Sequence, residues 1–143
     1  MAATGASWGA WGYADYSSGT TFNDVTINDN ATQTSDAIDL TGKAGCEVGI
    51  KSVGGSGTVD GVLTISVLYA TGDDGGGTEE FEDTSYGQPW SFTHEPTDDQ
   101  TSRVAFFIDP VLHRKFKVHL NNTSGITLTN TVEYRTAVMP AAS

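Results

Sequence analysis

The stretch "KFKVHLN" at residues 115–121 alternates with period two: Phe116, Val118 and Leu120 fall on one side, Lys115, Lys117 and His119 on the other. Successive side chains take opposite faces in an extended strand, so the segment reads as a strand with one face on a core and one in water. The same pattern recurs. In "GVLTISVLYA" Leu63, Ile65, Val67 and Tyr69 share a face, with Thr64 and Ser66 opposite, between Val62 and Leu68. "ITLTNTVEYR" sets Ile126, Leu128, Val132 and Tyr134 against Thr127, Thr129, Thr131, Glu133 and Arg135, and Asn130 interrupts the apolar side. Fainter runs occupy 24–29, 46–53, 79–83, 89–94 and 102–108. Cys46, Val48 and Ile50 form the core side of one, and Val104, Phe106 and Ile108 that of another.

Turn chemistry separates these runs: "TGKAG", "VGGSGT", "ATGDDGGGT", "PTDDQ" and "NNTSG" are rich in Gly, Asn or Asp. Gly and Thr are abundant and good helix formers scarce, which suits strands and turns. About eight short strands at this spacing predict an all-β fold, an antiparallel β-sandwich with jelly-roll character. The "NNTSG" link at 121–125 is short enough for a hairpin, so the last two strands are expected to pair. A single domain is the simplest organisation for 143 residues. A chain of this size buries roughly 70% of its unfolded surface and needs no metal or disulfide to fold.

Cys46 is the only cysteine, so no intrachain disulfide can form. No secretory leader is read at the N-terminus, and no apolar run approaches the roughly 20 residues of a membrane span. A net charge of −11 argues against nucleic acid, whose phosphates would repel the surface. The charge is also uneven: residues 1–100 carry a net −14 and residues 101–143 a net +3. Such a chain either presents one acidic and one basic surface, or simply gathers its acidic loops in the first two thirds.

Reactive chemistry is sparse. His94, His113 and His119 form neither an HExxH motif nor a close pair, and one cysteine cannot build a zinc cluster, so no metal or other cofactor is expected. Ser56 in "GGSGT" fails the nucleophile-elbow pattern because Thr58 stands where glycine is needed. The acidic 73–83 run reads as a solvated loop, with calcium binding as the alternative. The sequons at Asn30, Asn121 and Asn122 carry meaning only on a secretory route. In "SYGQPWSF" alternation puts Trp90 and Phe92 on one face and into the core; the alternative is a sugar-stacking shelf with Tyr86. No catalytic residue is assigned and no enzyme is expected.

The opening, "MAATGASWGAWGYADYSSGTT", has neither a strand's apolar run nor a helix's apolar face, yet holds Trp8, Trp11, Tyr13 and Tyr16. Two readings stand. The aromatics fold back to cap their own domain, or the segment is an arm that reaches a neighbouring subunit and anchors there through large amphipathic rings. Extended, some 20 residues span up to roughly 65 Å. We take residues 1–22 as the arm and 23–143 as the β-sandwich domain.

From residue 34 to 136 the chain resembles small β-sandwich virion structural proteins of tailed bacteriophages, of the capsid decoration (cement) type. The resemblance lies in "TSDAIDLTGKAGCEVGIKSVGGSGTVDGVLTISVLYATGDDGG", a "sdAIdLsG"-like lead followed by two strands and a "DGG" turn. It continues in "VAFFIDPVLHRKFKVHLNNTSGITLTNTVEYR", where "ID" precedes an aromatic-aliphatic strand, an Asn-rich turn and a long last strand. "GKAG" departs from the aromatic more usual after the first glycine. The resemblance implies a protein made in the host cytoplasm and carried on the virion's outer capsid surface. Its partners would be the major capsid protein and neighbouring copies of itself, grouped in threes in similar proteins. Trp8, Trp11, Tyr13 and Tyr16 are the expected contact residues, with Arg114, Lys115 and Lys117 as an accompanying basic patch. A carbohydrate-binding module and a tail or neck component are the competing expectations.

Overall fold

The computed structural model describes residues 5–72, 79–83 and 89–140. Among these residues fourteen strands run in chain order: β1 (Ser7–Trp8), β2 (Gly12–Tyr13), β3 (Asp15–Tyr16), β4 (Thr20–Thr21), β5 (Val25–Ile27), β6 (Ala31–Thr34), β7 (Ile38–Asp39), β8 (Gly45–Gly54), β9 (Leu63–Gly72), β10 (Glu80–Phe81), β11 (Trp90–His94), β12 (Thr101–Ile108), β13 (Lys115–Asn122) and β14 (Leu128–Val138). The alternation seen in the sequence becomes two six-stranded antiparallel sheets, and β3 and β4 pair as a separate two-stranded ribbon. In the first, β14 lies between β8 and an edge assembled from β1, β2 and β5, and β12 closes the other side of β8. In the second, β9 and β13 are central; β10 and β11 flank β9, and β6 and β7 flank β13. The fold is an all-β sandwich, as expected.

Its core is the meeting of two inward rows. Cys46, Val48, Ile50, Leu128, Val132, Phe106 and Ile108 come from the first sheet, and Leu63, Ile65, Val67, Phe116, Val118 and Leu120 from the second. Excluding this apolar surface from water is the main driving force for closing the sheets on each other. Asn130, the polar interruption of β14, is fully buried in this core; its Oδ1 accepts the Ser52 hydroxyl at 2.7 Å, while its Nδ2 has no partner.

The expected pairing of the last two strands does not occur. β13 belongs to the second sheet and β14 to the first, so residues 123–127 arch from one sheet to the other. Asn122 explains the arch. Its side chain is fully buried, and Nδ2 donates to the carbonyls of Ile27 (2.9 Å) and Ile126 (2.8 Å). Oδ1 accepts the Ser124 amide (3.0 Å) and hydroxyl (2.6 Å). All the hydrogen-bonding capacity of that amide is used to hold a corner between the sheets. Gly125 turns the chain at φ +90°, where a side chain would be strained, and donates its amide to Asp29 at 2.9 Å.

The N-terminal lead is also placed differently from a free arm. Ser7 lies opposite Val138, Trp8 opposite Ala137, Gly12 opposite Tyr134 and Tyr13 opposite Glu133, so the lead pairs along β14 of its own domain. Ala14 and Phe22 are buried in the common core, and the boundary expected after residue 22 therefore cuts through packed structure. The reason is backbone chemistry: β14 would otherwise show a row of unpaired edge groups, and the lead satisfies them.

Candidate functional site

The outer face of the first sheet is built in rows across β14, β8 and β12. Register places Arg135, Glu47 and Phe107 in one row, Glu133, Gly49 and Ala105 in the next, and Thr131, Lys51 and Arg103 after that. Ala137 and Gly45 form a further row before Arg135. Along β8 the small Gly45 and Gly49 thus alternate with the large charged Glu47 and Lys51, and the indoles lie over the glycines. A Cβ on Gly45 would stand 3.3 Å from the Trp8 ring, and one on Gly49 3.3 Å from the Trp11 ring. Glycine inside a strand often marks close approach by another group, and here that group is tryptophan.

Between the rings lies Arg135, its guanidinium carbon 4.9 Å from the centroid of Trp8 and 4.9 Å from that of Trp11. The same guanidinium grips one Glu47 oxygen through Nε (2.9 Å) and Nη2 (2.6 Å). A cation held against two aromatic faces and neutralised by a carboxylate fixes both rings without covering them. Trp8 and Trp11 are each 41% exposed, and Tyr13 49%. Phe107 meets Trp8 edge-on at 6.4 Å and stays 71% exposed.

The odd spacing of Trp8 and Trp11 would put them on opposite faces of a regular strand. They share one because residues 9–11 span only Arg135 and Thr136 of β14 between the two short pairings, a bulge anchored by Gly9 donating to the Thr136 carbonyl at 2.9 Å. Beside Trp11 a cavity of about 370 Å³ opens over Gly49 and Ala105, with Lys51, Arg103 and Glu133 at its rim. Lys51 is tied to Asp24 at 3.2 Å.

The other expected contact residues are elsewhere. Tyr16 turns away to pack on Phe22, with centroids 5.1 Å apart. Lys115 and Lys117 project from β13 of the second sheet, so the basic cluster and the tryptophans lie on opposite faces of the sandwich. Nor is that cluster free charge. Lys115 binds Glu79 at 2.8 Å, with Asp39 at 3.9 Å, and the Glu79 hydrogen bond raises its pKa. Lys117 sits over the Phe81 ring at 4.5 Å, and Arg114 is exposed just before β13. The basic third of the chain supplies both faces, Arg103 and Arg135 on one and Lys115 and Lys117 on the other, and makes no single basic surface.

Each histidine is engaged locally. His94 Nε2 bridges to Ser102 (2.7 Å), His113 stacks on Tyr69 (3.5 Å between centroids), and His119 Nδ1 meets Thr34 Oγ1 (2.7 Å). Among the described residues no group of three or more His, Cys, Asp or Glu is placed to hold a metal. Residues 73–78 of the acidic loop and Tyr86 lie outside the described residues. Trp90 and Phe92 share a face, as alternation requires. They join Phe106 in an aromatic cluster across the open side of the sandwich, with centroids 5.2–5.5 Å apart, but Trp90 remains 47% exposed.

Sequence reasoning found the tryptophans and missed what holds them: Gly45, Gly49, Glu47 and Arg135. The available signal was two glycines four residues apart inside a strand that otherwise alternates well.

No protein-family model matches the chain, and neither does any curated protein. Solved structures match the chain at low identity and low TM-score. A structure of Bacillus endospore appendages, disulfide-linked pili, is 13% identical over 98% of this chain and 96% of that one, with a TM-score of 0.43. A family 16 carbohydrate-binding module is 14% identical over 86% and 85%, with a TM-score of 0.41. The T13 viral particle of IBDV is 14% identical over 82% of this chain and 29% of its own, with a TM-score of 0.46.

Proposed function

We propose that this chain is a non-enzymatic structural protein of a tailed-phage virion, a decoration protein that docks on the outer shell through the aromatic face of its first sheet. One observation carries the reading: Trp8 and Trp11 stay 41% exposed while Arg135, Glu47 and the glycine rows beneath hold both rings in place. Large rings immobilised before binding lose little conformational freedom on contact, which is what an interface anchor needs. The resemblance across residues 34–136 supplies the shell as the surface to be met, and the major capsid protein as the partner.

The test is binding of the whole protein to assembled phage shells, beside a Trp8→Ala/Trp11→Ala double variant. Deleting residues 1–20 would uncover β14 and remove buried Ala14, so point variants are the cleaner perturbation. With the fold intact by circular dichroism, the double variant should bind at least about 30-fold more weakly, the effect of one anchor worth roughly 2 kcal/mol. Equal binding by both proteins overturns the reading.

The cavity beside Trp11 favours a second reading, a glycan held at the same face. An indole wall with Lys51, Arg103 and Glu133 at the rim offers stacking and hydrogen bonds together. Calorimetric titration with oligosaccharides that shows binding lost in Trp11→Ala, alongside no shell binding by the native chain, would put this reading first.

A further inference from the structure

We infer that β12 is a seam through which two copies of this chain pair edge to edge, their first sheets joining antiparallel about a two-fold axis at Ala105. The inference is independent of what the aromatic face binds.

Among the described residues, three of the four edges of the two large sheets are interrupted. β1, β2 and β5 make one edge in pieces with a bulge, β6 and β7 make another in two, and β10 and β11 make a third whose register shifts between Glu80 and Phe81. β12 differs. It pairs with β8 in unbroken register over its eight residues, "TSRVAFFI", without proline, glycine or acid. In a chain of net charge −11, a long unbroken edge free of carboxylates lets two copies approach with little repulsion. A long, flat, apolar edge strand is a template for another strand.

The hydrogen-bond phase identifies the groups on offer. The Gly54 amide donates to the Gln100 carbonyl at 2.9 Å, and Gly55 donates the other way, to Thr127 at 2.8 Å. Even-numbered residues of β12 therefore direct their backbone groups at β8, and Thr101, Arg103, Ala105 and Phe107 direct theirs out of the sheet. The side chains of these four are all exposed on the outer face.

A two-fold axis at Ala105 makes this edge complementary to itself. Arg103 comes opposite the partner's Phe107, and Phe107 opposite the partner's Arg103, so each guanidinium meets a ring that is 71% exposed in the single chain. Ser102 and Val104 come opposite the partner's Ile108 and Phe106. The small Ala105 at the axis leaves the floor over Gly49 and Ala105 continuous from one copy into the next, with a Trp11 at either end.

Sedimentation equilibrium of the whole chain tests the seam, with a reversible monomer–dimer transition expected. The mass of one chain at every concentration overturns the inference. Ala105→Pro removes an amide that faces away from β8, so the variant should fold and remain monomeric; a folded Ala105→Pro dimer also overturns it. Should that variant fail to fold, cysteine cross-linking decides. Across the axis the two Cα atoms of a hydrogen-bonded pair stand about 5.5 Å apart, inside the disulfide range. Ala105→Cys should therefore yield a covalent dimer on mild oxidation. Arg103→Cys should not, its two copies being offset by about 13 Å along the strands. The native chain, whose single cysteine is buried, controls for Cys46. Absence of the Ala105→Cys dimer, or equal cross-linking by Arg103→Cys, refutes the register.

Discussion

Replacing Asn122 by alanine should damage this protein more than its position in a polar-looking loop implies. The native amide makes four hydrogen bonds at a fully buried site. Truncation leaves the Ile27 carbonyl and the Ser124 amide without the partner they have now, while the Ile126 carbonyl keeps the Ser124 hydroxyl at 3.2 Å. Each buried group left unmet costs about 1–3 kcal/mol, so a loss of about 4 kcal/mol is expected. That is a large share of the roughly 5–15 kcal/mol that holds a domain of this kind together. Urea unfolding followed by circular dichroism measures it, with melting about 10 °C lower as the thermal counterpart. Asn122→Asp separates shape from chemistry, because it keeps the outline and loses both donors. Burial beside the carbonyls of Ile27 and Ile126 raises the new carboxyl's folded pKa above its unfolded value, so its penalty is least below pH ~4 and grows as the pH rises. An Asn122→Ala loss under about 1 kcal/mol would mean that the arch is held by its apolar neighbours and not by the Asn122 amide.

Arg135→Met should cost about 1–2 kcal/mol, discounted because the arginine side chain is 34% exposed, and a double-mutant cycle with Glu47→Gln should return a coupling near 1 kcal/mol; a coupling of zero would deny the pair its role in fixing the rings. Burial pushes the Cys46 thiol up to about 12, so native protein should resist iodoacetamide at pH 8 and react only after unfolding. Burial also lowers the His119 pKa below its ordinary 6.5, so the unfolded chain binds the proton more readily and stability should fall as the pH drops below about 6.5. His119→Gln should flatten that part of the profile of melting temperature against pH, and an unchanged profile would place the titration on another group.

The strands with clean alternation were legible because their pattern is local: Phe116, Val118 and Leu120 point one way whatever they pair with. Partner choice was not. "NNTSG" has the composition of a hairpin turn, and what makes it an arch is the carbonyl of Ile27, almost a hundred residues away in sequence. The lead's placement was hidden for the same reason. Two-residue strands carry no periodicity of their own, and β1 and β2 exist because β14 offers an edge. The candidate site was half visible. Its exposed rings stood out, while Arg135 read as one more residue on a polar strand face.

The pairing of Ser7 with Val138 also sets an order of events during synthesis. β1 and β2 wait for β14, far later in the chain, and β8 cannot complete its neighbours until β14 has been made. Non-local pairing of this kind makes folding slow and leaves the aromatic segment uncovered meanwhile. Arg135 and Ala137, which seat the two rings, are synthesised long after them. A chain not yet synthesised through β14 therefore has the tryptophans but not their platform, and the aromatic face forms only once β14 is in place.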